Sequence, residues 1–295
     1  MATSLTPIED DWTGEDVTIA EIERELARMR FESSAEGGQP NLRTSVMTHI
    51  AWVPPQWQSA AEGTLAGMAE RHPSRTLLLV PKPDEPDGLD ALVSLRCFPI
   101  GDRAVCGEVI ELTLRGDRAS APASIALPLL ISDLPVFCRW RGELWWGSTE
   151  LEQLLGIVDR LVVDSTEWPG LPEAYRKLAD LFERVAVSDI AWERTERWRS
   201  LLASLWSEIG SVRAIRVHGT PAQAYLIAGW LRSRLEKDIE LEIDEAERLE
   251  GIDLDGKAAP FPPGKPPGPS DVLSAQLDRF GRDPVYEAAV RAAAT

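Results

Sequence analysis

The stretch Arg75 to Val80 (RTLLLV), closed by Pro81, constrains this chain more than any other. It reads as a buried strand of the kind parallel sheets use. Thr44 to Val53 before it reads as another strand and Gln58 to Arg71 as the helix between them, so strand, helix and strand imply a parallel pair. Leu92 to Phe98 and Val105 to Leu114 add two strand candidates. In the second, Val109, Glu111 and Thr113 alternate with Ile110, Leu112 and Leu114, as on a half-covered sheet. Ala121 to Leu130 is predicted as a helix, Val136 to Trp140 as a strand, Glu150 to Ile157 as a helix capped by Thr149, and Leu161 to Val163 as a strand. Pro172 opens the next helix.

Val185 to Ser188 reads as a domain junction, after which a second α/β unit begins. Asp189 to Trp206 is predicted as one long helix with Trp198, Leu201, Leu202 and Leu205 on one face, and Val212 to Val217 as a strand. Thr220, Pro221 and Gln223 form a capping box for a helix running to Leu235, and Ile239 to Ile243 is the next strand. The acidic stretch Glu236 to Glu250 reads as a solvated face or as a docking face for a basic partner. Gly256 to Pro269 holds six Pro and three Gly, an exposed or partly disordered loop, and Leu273 to Phe280 and Val285 to Ala293 are the last helices. At the other end, Thr18 and Glu21 make a capping box for a helix carrying Ile19, Ile22, Leu26 and Met29, with a linker at Glu36 to Asn41. The expected architecture is two α/β domains, 39–187 and 188–295, with mixed, mostly parallel sheets flanked by helices, preceded by an N-terminal helical arm, 1–38.

At 295 residues with 44% hydrophobic and 27% charged residues, the composition is that of a globular protein with a sizeable core. A net charge of −17 argues against duplex nucleic acid and anionic lipid as main partners, since both reward Lys and Arg. Glu9, Asp10, Asp11, Glu15 and Asp16 near the start are the opposite of a secretory signal, and no apolar run reaches membrane-spanning length, so a cytoplasmic protein is expected. Cys97, Cys106 and Cys138 include no C-x-x-C pair for a structural zinc, and no metal or cofactor is expected. They read as three buried thiols, or as including a Cys97/Cys106 redox pair on neighbouring strands, which needs alpha carbons within about 7 Å.

The signatures of dinucleotide, triphosphate, zinc-hydrolase and serine-hydrolase chemistry are all missing. Of the three histidines His218 is the best general base, because it follows a strand and precedes a helix start where, with Gly219 and Thr220, an anion such as a sugar phosphate would be favoured; the plain alternative is an ordinary capped helix. His72 and Arg75 flank a helix-to-strand turn and offer either a simple turn or an anion contact. Phe137 to Trp146 (FCRWRGELWW) concentrates Arg139, Trp140, Arg141, Trp145 and Trp146, the residue types that dominate interface hot spots, though a core strand with inward Trp fits as well.

The segments RTSVMTHIAWV from Arg43, HPSRTLLLV from His72, DLPVFCRWRGEL from Asp133, DRLVVDSTEW from Asp159 and SDIAWERTERWRSLLASLW from Ser188 occur in one order, followed by LSAQLDRFGRDPVYEAAV from Leu273. In these the chain resembles the glucose-6-phosphate dehydrogenase assembly protein (OpcA) family of cyanobacteria and actinobacteria. The resemblance implies a non-catalytic protein that binds glucose-6-phosphate dehydrogenase, favours its active oligomer and raises its activity in the oxidative pentose phosphate pathway. It also implies a link to redox control, for which Cys97, Cys106 and Cys138 are the residues available. Partner contacts are assigned to Arg139, Trp140, Arg141, Trp145, Trp146, Trp168, Arg194, Trp198 and Arg199. The readings kept beside it are a lactonase-like hydrolase using His218 and a sugar-phosphate sensor.

Overall fold

A computed structural model describes residues 8–36, 41–42, 45–66, 74–100, 103–279 and 281–294. The chain forms two compact units, residues 1–161 and 162–295. Unit one holds β1 (Ile8–Gly14), α1 (Ile19–Glu36), β2 (Asn41–Leu42), β3 (Thr48–Trp52), α2 (Gln58–Ala66), β4 (Arg75–Lys82), β5 (Gly88–Ile100), β6 (Arg103–Arg115), α3 (Pro122–Ala126), β7 (Val136–Trp140) and α4 (Thr149–Leu155). The division falls inside β8 (Arg160–Val163).

The sheet of unit one is mixed. β7, β3, β4 and β6 are parallel neighbours, and β5 and β1 continue it antiparallel. Leu77, Leu79 and Val80 of β4 are fully buried, as the RTLLLV run requires. Ile110, Leu112 and Leu114 of β6 are fully buried while Val109, Glu111 and Thr113 are half-buried, which is the alternation read from sequence. α1 opens on the expected box: the Thr18 backbone N–H donates to Glu21 at 2.8 Å, and the Glu21 N–H donates to the Thr18 hydroxyl at 3.3 Å. Its Ile22, Leu26 and Met29 are buried, and it packs against β5. The arm therefore begins with a strand that sequence reading did not foresee. Residues of β1 such as Asp10 and Asp11 look like a solvated tail, yet their backbone pairs with Leu95 and Ser94.

Arg75 serves this packing. Its guanidinium meets Glu108 (2.8 Å), Glu23 of α1 (2.9 Å) and the Leu129 carbonyl (2.7 Å), while Arg30 of α1 reaches the other Glu108 oxygen at 2.6 Å. Burial alone would push the Glu108 carboxyl up, but Arg30 and Arg75 outweigh it and hold it below its ordinary value. His72 lies outside the described residues. Two local expectations change. Residues 121–130 form α3 and a separate 3-10 turn, with Pro128 inside that turn, and α4 is capped by Ser148, whose hydroxyl accepts from the Leu151 N–H, one residue earlier than expected.

Unit two contains α5 (Glu173–Leu181), β9 (Ala186–Asp189), α6 (Ile190–Arg194), α7 (Glu196–Ser204), α8 (Trp206–Ile209), β10 (Ala214–Gly219), α9 (Pro221–Leu235), β11 (Glu240–Glu245), β12 (Gly251–Leu254), β13 (Lys257–Ala258), α10 (Pro269–Leu277) and α11 (Pro284–Ala293). The stretch read as a junction is β9. The expected long helix from Asp189 is three short ones: it breaks at Thr195, whose buried hydroxyl donates to the Trp192 carbonyl at 2.7 Å, and again at Leu205. A four-stranded sheet runs β11-β10-β12-β13, with β10 parallel to β11 and antiparallel to β12. α9 packs on β10 and β11, and α11 packs on α9. The Pro-rich segment is held by Arg197, which donates to the carbonyls of Pro262 and Pro263 at 2.8 Å and to that of Gly264. No helix among the described residues is long and apolar enough to cross a membrane.

Candidate functional site

In unit one the Trp/Arg segment sits at a particular place in the topology. From β3 the chain crosses through α2 to β4 on one side, whereas β7 lies on the other side of β3, so the order reverses between β3 and β7. Ligands of open α/β sheets bind outside the carboxyl ends of strands at such a reversal. Here the carboxyl ends are Trp52 and Trp140, register partners whose rings stack at 5.2 Å and 29°. Trp145 stands edge-on to both at 5.6 Å, with interplanar angles of 89° and 81°. The crevice is filled with indole. Trp52 and Trp140 are fully buried and Trp145 is 39% exposed, which leaves one of the three available to a partner.

The turn that returns Trp145 over the pair depends on Gly142, whose φ of +78° is left-handed and whose missing Cβ leaves room for Trp57 Nε1. Trp140 Nε1 donates to the Glu143 carbonyl and Trp146 Nε1 to the Glu143 carboxylate, both at 3.2 Å. Arg141 is half-buried and donates to the Thr64 hydroxyl at 3.1 Å. Arg139, on the opposite face of β7 from Trp140, is buried and donates to the Trp140 carbonyl. The segment thus divides: Arg139 and Trp140 are core, Arg141 and Trp146 half-buried, and Trp145 exposed.

Of the residues expected as partner contacts in unit two, Trp168 and Trp198 are buried while Arg194 and Arg199 are half-buried. Trp168 is buried against Tyr175 at 6.2 Å, and Trp198 is buried with Phe261 edge-on at 5.4 Å. Arg194 pairs with Asp164 at 3.0 Å. Arg199 lies over the Trp192 ring with Cζ 3.4 Å from its centroid, and burial pushes its guanidinium down to about 10, which keeps it charged at neutral pH. Among the described residues of unit two, the exposed large aromatics are Trp206 at 57% and Phe261 at 66%, neither of them among the expected contacts. Phe261 sits in the Pro-rich loop and Trp206 at the break after Leu205, so neither falls on a recognisable periodic face.

A second feature missed from sequence is a sealed polar core around Asp189. Its carboxylate accepts from the Ser165 N–H (3.0 Å), the Ala191 N–H (2.8 Å), the Ser165 hydroxyl (2.6 Å) and the Tyr286 hydroxyl (3.4 Å). Tyr175 stands 2.9 Å from the Ser165 hydroxyl and donates to the Ala222 carbonyl at 3.3 Å. Burial first, then the Asp164 charge, pushes Asp189 up to about 6. The only sequence signal was an acid just before the apolar run at Ile190, where it caps α6.

His218 stands on the open face of the small sheet, its Nδ1 2.8 Å from Asp244 and its Nε2 3.3 Å from Asp253. These hydrogen bonds, that to Asp244 first, raise its pKa above the ordinary imidazole value. The Thr220 hydroxyl and the Gln223 side chain complete the α9 capping box, and Gly219 ends β10. Two carboxylates beside the imidazole favour a cation there over an anion. Cys97 and Cys106 are register partners on β5 and β6 with alpha carbons 4.0 Å apart and are joined as a disulfide, so the reading of three free thiols gives way to the paired one. Cys138 is a free buried thiol, pushed up to about 12 by burial. No cluster of three or more His, Cys, Asp or Glu able to hold a metal ion occurs among the described residues.

Residues 66–180 match the OpcA family model described as the glucose-6-phosphate dehydrogenase subunit N-terminal domain, and residues 185–260 match the model of its C-terminal domain. An OxPP cycle protein OpcA from Nostoc punctiforme is 31% identical over 189 residues, 57% of this chain and 39% of that one. Its counterpart in Synechococcus elongatus is 26% identical over 184 residues, 57% of this chain and 41% of the relative. The alignments cover about two fifths of the length of these relatives. With the two domain models matched in order over about two thirds of its residues, the chain belongs to the OpcA glucose-6-phosphate dehydrogenase assembly family.

Proposed function

We propose that this chain is a non-catalytic partner of glucose-6-phosphate dehydrogenase that favours its active oligomer and raises its rate. The observation that carries the reading is the ordered match of both domain models of one assembly family. The side chains agree with it. The polar cluster around Asp189 is closed to solvent, and the crevice at the β3/β7 reversal is packed with indole. Such an activator works by binding the active form of the dehydrogenase more tightly than the inactive form, and the shift cannot exceed that difference in affinity.

Titrating the protein into a fixed amount of the dehydrogenase and recording initial rates is expected to give a saturable rise. Trp145→Ala is expected to shift the midpoint to higher concentration without unfolding the chain, while a flat titration of wild type overturns the reading. The Cys97–Cys106 pair is the element through which a redox signal would act. Activation is expected to differ between oxidised and reduced protein and to lose that difference when both cysteines are replaced by Ser; equal activation throughout discards the redox role.

A further inference from the structure

The four-stranded sheet of unit two is covered on one face only. Ile215, Val217 and Ile252 are buried, and α9 packs against β10 and β11. The other face carries Arg216 and His218 of β10, Glu240, Glu242 and Asp244 of β11, and Asp253 of β12. These side chains share one side because the register sets Ala214, Arg216 and His218 opposite Glu240, Glu242 and Asp244, and Arg216 opposite Asp253. Central strands of an α/β unit are normally covered on both sides, and this one is open along three neighbouring strands.

The open face is ordered and strongly anionic. Arg216 pairs with Glu242 at 2.8 Å, His218 with Asp244 at 2.8 Å and Asp253 at 3.3 Å. Four carboxylates thus face one arginine and one histidine, and Glu240 has no cation partner among the described residues. Two shallow clefts cross the face. One, of about 180 Å³, is lined by Arg216, Glu240, Glu242 and Asp253. The other, of about 340 Å³, is lined by His218, Glu250, Asp253, Trp198 and Phe261. At its rim Phe261 is two-thirds exposed with Trp198 beneath it. An aromatic residue held edge-on at the border of a charged face is the composition of an interface anchor with a polar surround.

We infer that this open sheet face is the docking surface for a Lys/Arg-bearing surface of the dehydrogenase, with Phe261 as the apolar anchor at its rim. The inference rests on the function proposed above and adds to it the face and the chemistry of the contact. A basic protein surface fits because it neutralises the excess carboxylates, whereas phosphate-bearing surfaces are repelled by them.

The test measures the affinity of full-length chain for the dehydrogenase by sedimentation at low salt and at about 0.3 M salt, where exposed charges are screened beyond a few Å. Four proteins are compared: wild type, Glu240→Lys/Glu242→Lys/Asp244→Lys, the isosteric Glu240→Gln/Glu242→Gln/Asp244→Asn, and Phe261→Ala. The reversal is expected to weaken low-salt binding about tenfold or more, and the neutral triple to weaken it less and flatten the salt dependence. Phe261→Ala is expected to weaken binding at both salts alike. Should the reversal misfold by circular dichroism, the neutral triple decides. Folded variants that bind with wild-type affinity and wild-type salt dependence overturn the docking face while leaving the proposed function standing. Wild type that does not bind overturns the proposed function and this partner with it.

Discussion

Single residues separate core from surface within what looks like one motif. Trp140 stacks on Trp52 with no exposed area, so Trp140→Ala is expected to cost about 3–5 kcal/mol of stability, read by chemical denaturation. Trp145→Ala, at a partly exposed ring, is expected to cost roughly a third of that. Comparable losses at both positions contradict the division. Asp189 gives a pH test. Its folded pKa of about 6 lies above the 3.8 of an ordinary Asp, so the protonated form is favoured in the folded state. That contribution is fully present below about pH 4 and is lost as pH rises through about 6. Asp189→Asn keeps an acceptor for the Ser165 and Ala191 N–H groups and removes the titration. Its unfolding free energy is expected to lack the fall between pH 4 and 6 that wild type shows, and an unchanged slope contradicts the assignment. Local chemistry such as the Thr18 and Thr220 caps was legible in the sequence because cap and partner lie three residues apart. The orientation of Trp140 and Arg139 was not, since strand alternation puts them on opposite faces and only the tertiary fold covers both.

Among the elements, α1 and α9 each depend on one contact that substitution can break. α1 is tied down through Glu108, which accepts from Arg30 and Arg75 together. Glu108→Ala leaves Arg75 buried without its closest carboxylate and is expected to cost about 3–5 kcal/mol, with faster hydrogen exchange along α1. Exchange in α1 that matches wild type contradicts the tie. α9 meets α11 at Gly229, where an added Cβ would stand 2.1 Å from the Ala289 carbonyl and 2.8 Å from the Ala293 nitrogen. Both are backbone atoms that cannot step aside, so Gly229→Ala is expected to destabilise by about 1–3 kcal/mol in spite of its better helix propensity. A gain in melting temperature contradicts this packing. Elements whose apolar period is strong, such as β4, β6 and β7, were legible with small errors at their ends. β1 was not, because IEDDWTG is acidic and its order comes from pairing with β5. The break at Thr195 was not either, because it depends on a buried hydroxyl turning back to Trp192.

At the scale of the whole molecule, the α/β class with mixed sheets followed from alternating helices and strands, and family membership followed from strings that occur in order along both matched stretches. The boundary read at 187/188 falls within β9, inside unit two, whereas the chain divides spatially at 161/162. Of the acidic residues behind the net charge of −17, Glu240, Glu242, Asp244 and Asp253 lie together on the open face of the small sheet beside Arg216 and His218. The proposed function is binding and activation of glucose-6-phosphate dehydrogenase. The most direct measurement mixes the purified chain with the dehydrogenase of the same organism and records native mass and initial rate on the same sample. A heavier complex that turns over faster than the dehydrogenase alone is the expected result; no complex and no change in rate, with and without substrate and reductant, contradicts it.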